Sequence, residues 1–321
     1  MRIKQVCILG GSGFVGSAVV GRLDAAGYQV KVLTRRREQA KHLILLPNVQ
    51  VVECDVMDEA ELSRQIHGSD AVINLIGILH ESRKATFEAI HAQLSKRVAR
   101  ICHVQRVRRL LHMSALKAAS DAPSAYLRSK AAGEAMVMAE AGLNEDARQL
   151  HVTIFRPSVI FGRGDHFLNL FAALMKLLPV MLLAKPDAKF QPVFVEDVAR
   201  AFVNSLENID TYGQVYELAG PKVYTLRELV QLVADMLLIK RRIIGLNDRL
   251  SYWQAYVMEF MPIKLMTRDN LLSMQADSVS AADFPAVFGF QPTPLESVVP
   301  DYLVGGSARD SYNRYRGHAG R

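Results

Sequence analysis

Over the first hundred and sixty residues, apolar positions alternate between two textures. Short, nearly continuous or alternating apolar runs occur at Val6–Leu9, Tyr28–Leu33, Val49–Cys54, Ala71–Gly77, Arg109–Met113 and Val152–Phe155. Between them lie longer amphipathic segments, Phe14–Ala26, Asp58–His67, Thr86–His103 and Tyr126–Ala141, two of which are followed by the helix-closing glycines Gly27 and Gly68. Strand and helix therefore alternate, which predicts an α/β fold with a doubly wound parallel sheet of Rossmann type. Ligands of such a sheet sit at the carboxyl ends of its strands.

The stretch Gly10–Gly16 (Gly-Gly-Ser-Gly-Phe-Val-Gly) directly follows the first strand and opens the first helix. In this context it reads as a dinucleotide site. Gly10 permits a tight turn, Gly13 lets a pyrophosphate approach bare backbone, and Gly16 lets the helix lie close to the strand. The amides of the helix start at Phe14 and Val15 then face the phosphates. After the second strand, where an NAD-binding fold commonly holds a carboxylate for the ribose 2′-hydroxyl, this chain has Thr34-Arg35-Arg36-Arg37. Guanidinium groups suit a 2′-phosphate, so NADP(H) is the expected cofactor, with contacts from Arg35 and Arg36 and with NAD(H) as the alternative. An exposed basic helix start would account for the same arginines. Asp55, at the tip of the third strand, is a candidate acceptor for the adenine amine, although an Asp there also suits a turn.

Beyond Phe161 the alternation breaks. Gln191–Val195 followed by a helix Asp197–Leu206 is expected to return to the sheet, Gly213–Ala219 reads as a further strand, and Thr225 with Glu228 spells a capping box. The expected organisation is a NAD(P)-binding domain over 1–165, to which 191–207 returns, and a smaller substrate or partner lobe over 166–304 above the mouth of the sheet. The polar, basic 305–321 reads as a disordered tail.

The 321 residues are half apolar, enough for a large core, and carry a net charge of +7. The basic residues concentrate at Arg35–Arg37, at Arg106, Arg108 and Arg109, and in the tail. No nucleic-acid-binding motif accompanies them, so solvated faces and cofactor phosphates are the expected explanation, with no nucleic-acid partner. Cys7, Cys54 and Cys102 form no C-x-x-C pair and read as buried reduced thiols, with no metal site. No signal or transit segment precedes the first strand, and the most apolar run, Phe167–Ala184, is interrupted by Asn169, Lys176 and Pro179. A cytoplasmic protein is expected, peripheral at the inner face of the membrane at most.

Catalytic chemistry is suggested by three residues. Ser114 follows the fifth strand, and Tyr126 and Lys130 stand four apart on one face of the next helix. A lysine ammonium is expected to lower the phenol pKa, so that the tyrosine exchanges a proton with a substrate oxygen held by the serine.

With the glycine spacing, Asp55-Val56, Asn74-Leu75-Ile76-Gly77, Ser114, Tyr126, Lys130 and Arg156–Gly162, the chain resembles the short-chain dehydrogenases/reductases of the extended or atypical kind. More narrowly, Met113–Leu116, Tyr126–Ala131, Phe155–Gly162 and Gln191–Ala199 resemble the NAD(P)H-binding accessory subunits of mitochondrial complex I and their bacterial relatives. The resemblance covers roughly residues 1–300 and rests on several separate motifs. It implies further cofactor contacts at Val56, Leu75, Ile76, Gly77, Pro157 and Val159, with Lys130 serving the cofactor as well as the chemistry. It also implies a cofactor that is structural in the complex I subunits, and a link of related proteins to quinone metabolism. His91 falls where many members of the family place an asparagine that holds a water in the proton relay; it reads as a substitute polar group or as a histidine without a role.

Phe167–Leu178, Val180–Leu183 and the Trp253–Met261 segment are more apolar than a surface needs. A wall for an apolar, quinone-like molecule, a face for a membrane surface or respiratory complex, and a buried lobe helix all fit. Three functional readings follow. The first is an NADP(H)-dependent oxidoreductase acting on an apolar carbonyl or quinone-related substrate through Ser114, Tyr126 and Lys130. The second is a cofactor-bound accessory or assembly protein of a respiratory or quinone-making complex, and the third a sensor of the NADPH/NADP ratio.

Overall fold

The computed structural model describes residues 3–83, 85–142, 150–261 and 265–303, so the basic 305–321 segment lies outside the described residues. Six strands, β1 (Gln5–Leu9), β2 (Gln29–Thr34), β3 (Val49–Glu53), β4 (Ala71–Asn74), β5 (Arg109–Met113) and β6 (His151–Pro157), form one parallel sheet with the edge strand Gln214–Leu218. The spatial order is edge strand, β6, β5, β4, β1, β2, β3. Strand order reverses between β1 and β4, and that is where an open α/β sheet leaves a crevice at its carboxyl edge. Leu9 pairs with Leu33 on one side and Asn74 on the other, so the turn after β1 emerges between the ends of β2 and β4.

The helices α1 (Phe14–Ala25), α2 (Glu59–Ile66), α3 (Leu94–Val104) and α4 (Ala125–Gly142) connect these strands. Alternation along β1 splits the core in two. Val6 and Ile8 face α1 and the helix Val195–Ser205, whereas Cys7 and Leu9 face α3 and α4. The helix Val195–Ser205 therefore does return to the sheet, packing on α1 through Val198 and Phe202 and pairing Glu196 with Arg22 at 2.7 Å. The strand before it does not, because Val193–Phe194 pairs with Ile160–Phe161 in a separate two-stranded ladder. Conversely, the strand Gln214–Leu218, assigned to the second lobe from sequence alone, is the edge of the central sheet.

Three other expectations are adjusted. β4 ends at Asn74 rather than Gly77, because the Asn74 Oδ1 accepts the Ile76 N–H at 3.2 Å and turns the chain out of the ladder. The helix expected over Thr86–His103 opens with a wide π-helical stretch, Glu88–Gln93, before α3 begins. Arg109, counted among the solvated basic residues, is fully buried at the start of β5. All three cysteines are buried, and burial pushes the Cys7 thiol up to about 12 and the Cys54 thiol up to about 11.

Away from the sheet a third cluster gathers around Phe161, Leu168, Met175, Leu183, Leu229, Val233 and Val299. The run Phe167–Ala184 is a helix, Leu168–Leu177, followed by a strand, Val180–Leu183, that pairs with Arg242–Gly245. The capping box at Thr225 forms as its spacing demands.

Candidate functional site

The glycine turn has the close geometry its composition requires. Gly10 has φ +80°, and the Gly13 N–H donates to the Gly10 carbonyl at 3.1 Å before α1 begins. A Cβ on Gly16 would lie 2.2 Å from that carbonyl, and one on Gly10 would lie 3.2 Å from the Ile76 nitrogen. Side chains at either position would push the helix off the turn or the turn off the Leu75–Ile76 segment. Phe14 and Val15 are the first helical residues, so their amides have no partner within the helix. Such an N-terminus, with bare glycine backbone in front of it, fits a pyrophosphate.

At the tip of β2, Thr34 Oγ1 donates to the Arg36 carbonyl at 3.1 Å and fixes the turn. Arg35, Arg36 and Arg37 are exposed, and among the described residues no carboxylate pairs with Arg35 or Arg36. Asp55 caps its own turn, with Oδ1 accepting the Met57 N–H at 2.9 Å, and its carboxylate stays exposed; Val56 beside it is buried. Leu75 is buried, Ile76 is half-buried and Gly77 is exposed. Pro157 is buried at the end of β6, where its carbonyl accepts the Leu116 N–H at 2.9 Å, and the Val159 carbonyl accepts the Val193 N–H at 3.0 Å. These positions line the carboxyl edge of the sheet.

Ser114 is anchored at the end of β5, where its N–H donates to the Phe155 carbonyl at 2.7 Å. Its Oγ is buried and has no hydrogen-bond partner. Lys130 is also buried; its Nζ donates to the Met113 carbonyl at 3.2 Å and lies 3.0 Å from where a Gly77 Cβ would sit. A side chain at residue 77 would press on the ammonium, which would have to give by a few tenths of an ångström. Burial pushes Lys130 down to about 8, opposed by the charge of Glu134, which is itself held by a two-point pair with Arg156. Tyr126 departs from the sequence expectation. Burial holds its phenol up at about 12, and the lysine charge does not offset this. At neutral pH the phenol is therefore protonated.

His91 is buried in the π-helical stretch and has definite partners. Its Nε2 accepts the Ile78 N–H at 3.0 Å, which leaves Nδ1–H to donate to Ser129 Oγ at 2.8 Å. Ser129 in turn donates to the Tyr126 carbonyl at 2.7 Å. Burial, reinforced by the Lys130 and His112 charges, holds His91 down at about 3, so the ring stays neutral. The ring stacks on Phe87 and meets the edge of Tyr126, with centroids 5.4 and 5.5 Å apart. His91 thus ties the segment after β4 to the helix of Tyr126 and Lys130.

The model of the NAD dependent epimerase/dehydratase family matches residues 6–219, more than half of the chain. The chain belongs to that family. It is 33% identical over 301 residues to the mitochondrial NADH dehydrogenase (ubiquinone) 1 alpha subcomplex subunit 9 of Rattus norvegicus, covering 90% of this chain and 77% of the rat protein. It is 30% identical over 248 residues to the ceramide reductase of Caulobacter vibrioides, covering 76% of this chain and 74% of that protein. Among solved structures, MoeE5 in complex with UDP-glucose and NAD superposes with a TM-score of 0.73 at 18% identity, covering 96% of this chain and 99% of that one, which speaks to the fold. The chain is a nucleotide-binding protein of short-chain dehydrogenase/reductase type, and the resemblance to the complex I accessory subunits holds.

In this epimerase/dehydratase-family chain, two residues of the site escaped the sequence reading. Gly133 sits inside α4, where a glycine is unfavourable, and a Cβ there would lie 2.2 Å from the His91 carbonyl. A glycine in a helix interior was the available signal. Asp269 accepts the amides of Ala125 and Tyr126 from the far end of the sequence, and no local pattern announces it. Among the described residues no helix is long and apolar enough to cross a membrane. Leu177 and Leu182 project outward at 78% and 50% exposure, and Trp253 and Phe260 at 62% and 73%.

Proposed function

We propose that the chain binds NADP(H) at the carboxyl edge of the sheet and reduces an apolar carbonyl, with Tyr126 as proton donor, Ser114 as oxygen holder and Lys130 as electrostatic partner. The observation that carries this reading is the buried Ser114 Oγ without a partner, beside the buried Lys130 ammonium with one carbonyl acceptor. A buried hydroxyl and a buried cation with donors to spare are costly in a site that holds nothing. They suit the oxygen of a substrate and the hydroxyls of a nicotinamide ribose. The glycine cradle fits the pyrophosphate, and the exposed Arg35 and Arg36 suit a 2′-phosphate in bidentate fashion.

When bound, the reduced nicotinamide supplies a hydride to the carbonyl carbon. The Ser114 hydroxyl donates a hydrogen bond to the carbonyl oxygen and holds it in place. The Tyr126 phenol transfers its proton to that oxygen, and solvent reprotonates the resulting phenolate, while Lys130 keeps its spare donors for the ribose hydroxyls. A phenol held protonated at neutral pH starts in the state that reduction requires. Similarity to a protein named ceramide reductase supports a long-chain apolar carbonyl, and similarity to a complex I subunit supports a quinone-related one.

The exposed apolar face favours a second reading, a cofactor-bound accessory protein seated on a membrane surface or respiratory complex. Leu182, Ile244, Trp253, Val257 and Phe260 are exposed, and Gln254 Nε2 ties their helix to the strand Val180–Leu183 by donating to the Leu182 carbonyl at 3.0 Å. Calorimetric titration with NADPH and NADH, on the parent and on Arg35→Ala with Arg36→Ala, tests the cofactor. NADPH binding that weakens by more than about 1.4 kcal/mol, tenfold, in the double variant is expected. Equal affinity for both nucleotides in both chains would sink the 2′-phosphate site. Tyr126→Phe separates the two readings, since it should abolish carbonyl reduction while NADPH still binds, whereas an accessory protein has no turnover to lose.

A further inference from the structure

The helix that carries Tyr126 and Lys130 does not close its own first turn. Ser124 Oγ accepts the Leu127 N–H at 3.2 Å, which leaves the amides of Ala125 and Tyr126. One carboxylate from the other end of the sequence takes both. Asp269 Oδ1 accepts from Ala125 at 2.7 Å and Oδ2 from Tyr126 at 3.1 Å. A carboxylate at a helix N-terminus gains from the helix dipole and from two charge-assisted bonds, so this is a strong cap supplied from afar.

Asp269 is itself held firmly. It lies in the helix Arg268–Ser273, whose N-terminus is closed by the reciprocal Thr267–Asn270 box. Its neighbour Arg268 grips Glu259, with the backbone N–H donating to Oε1 at 2.6 Å and Nε to Oε2 at 3.0 Å. Glu259 ends the helix Asp248–Glu259, which bears the exposed Trp253 and Val257 and is followed by Phe260. Ala276, just beyond the Asp269 helix, packs in the small cluster that contains Leu127 and Tyr126. A continuous set of contacts thus leads from the exposed apolar face to the backbone of Tyr126.

We propose that Asp269 is a positioning residue for Tyr126, and that through it the seating of the C-terminal lobe and the occupancy of the dinucleotide site are coupled. The proposal rests on the reading of Tyr126 as part of a nucleotide-dependent site. With the cap made, the first turn of α4 is fixed and the Tyr126 ring keeps its edge contacts with Phe87 and with His91 of the π-helical stretch in one setting. With the cap lost, that turn frays and the phenol loses its setting. Coupling of this kind is reciprocal, so nucleotide binding must tighten the Asp269 helix as the helix tightens the site.

Hydrogen–deuterium exchange on the full chain, with and without NADPH, tests this in the parent, in Asp269→Asn and in Thr267→Ala. In nucleotide-free Asp269→Asn, the amides of Ala125 and Tyr126 are expected to exchange roughly tenfold faster, the scale of losing charge-assisted bonds. In the parent, NADPH slows exchange both in the glycine turn and in residues 268–273. In Asp269→Asn the protection of 268–273 disappears and that of the glycine turn stays. Thr267→Ala, which breaks the box but leaves the carboxylate, retains the coupling. Unchanged exchange at Ala125 and Tyr126, equal loss of coupling in Thr267→Ala, or acceleration across the whole sheet in Asp269→Asn would each overturn the assignment. No calorimetric NADPH binding by the parent would remove the cofactor reading and the coupling with it, while the nucleotide-free rates still decide the cap.

Discussion

Two cations are buried at opposite ends of β5, and the fold treats them differently. Arg109, at the start of the strand, donates to the His151 carbonyl, Thr153 Oγ1, the Ser205 carbonyl and Thr211 Oγ1 at 2.7–3.1 Å, and lies 4.6 Å from the centre of the Tyr212 ring. Lys130, at the other end, has the Met113 carbonyl and a neighbouring Ser114 hydroxyl with no partner of its own. Burial lowers both, Arg109 to about 10 and Lys130 to about 8. Desolvation alone therefore does not mark a site; the hydrogen-bond inventory does. Arg109 is a hub whose four bonds join β5, β6 and the 205–211 segment and leave only its Nε without a partner, whereas Lys130 makes one bond to protein and, on the proposed reading, keeps its other donors for the ligand.

The comparison breaks most sharply by removing each cation in turn. Arg109→Met should strip partners from two buried hydroxyls and two carbonyls and cost about 3–5 kcal/mol, read as a lower midpoint in urea unfolding. A loss below about 1 kcal/mol would mean that the hub is decoration. Lys130→Met should do the reverse. The lysine is lowered from 10.5 to about 8 on folding, so it costs stability that is fully lost below pH 8 and recovered as pH rises toward 10.5. At pH 7 the variant is expected to be about 1–3 kcal/mol more stable than the parent, with the gap closing by pH 10, and to bind NADPH at least about tenfold more weakly. Destabilisation at pH 7 would show that the ammonium is a structural member after all.

The same contrast explains what could be read from the sequence. The tight turn at Gly10, Gly13 and Gly16 was legible because backbone approach and positive φ demand glycine locally, and Ser114, Tyr126 and Lys130 could be put forward as candidates because a strand end and a helical spacing of four are local too. Arg109 was misread as surface, since its acceptors come from β6, from the end of the helix Val195–Ser205 and from Thr211, up to 102 residues away. Asp269 lies 144 residues from Ala125, and nothing near it in sequence spells a cap for another helix. The edge strand Gln214–Leu218 was misplaced for the same reason: its partner β6 precedes it by an excursion through the second lobe. Local chemistry writes a pattern along the chain; long-range hydrogen bonding does not.

His91 stands between the two cases and gives a smaller effect. It is buried and neutral like a core residue, yet both its ring nitrogens are committed to segments that border the cofactor edge. His91→Ala leaves the Ile78 N–H without its acceptor and Ser129 Oγ without its donor, and should cost about 1–3 kcal/mol of stability. The expected sign of a site role is a further fall in NADPH affinity, about tenfold by titration, because the segment Leu75–Ile78 loses its tie to α4. A stability loss with unchanged affinity would assign His91 to the core alone.

The least effect on the fold is expected at the exposed apolar face, where the contrast with the buried end of the sheet is greatest. Trp253 and Phe260 are mostly solvent-exposed, with ring contacts confined to their own helix and its end, Trp253 to Tyr256 and Tyr256 to Phe260. Replacing both by Ser removes little that folding buries, so thermal unfolding should move by no more than the equivalent of about 0.5 kcal/mol, and NADPH titration should be unchanged. Exposed apolar patches of this kind commonly mark interaction surfaces. Beside them the strand Arg242–Gly245 opens with the exposed cationic run Lys240, Arg241 and Arg242, a combination that suits an interface with anionic headgroups. Co-sedimentation with vesicles carrying anionic lipid should therefore fall in the Trp253→Ser, Phe260→Ser chain. If the parent ignores such vesicles at low salt, the face is a protein contact. If the double variant instead unfolds or loses NADPH, the face belongs to the core of the site, and the contrast between the two regions collapses.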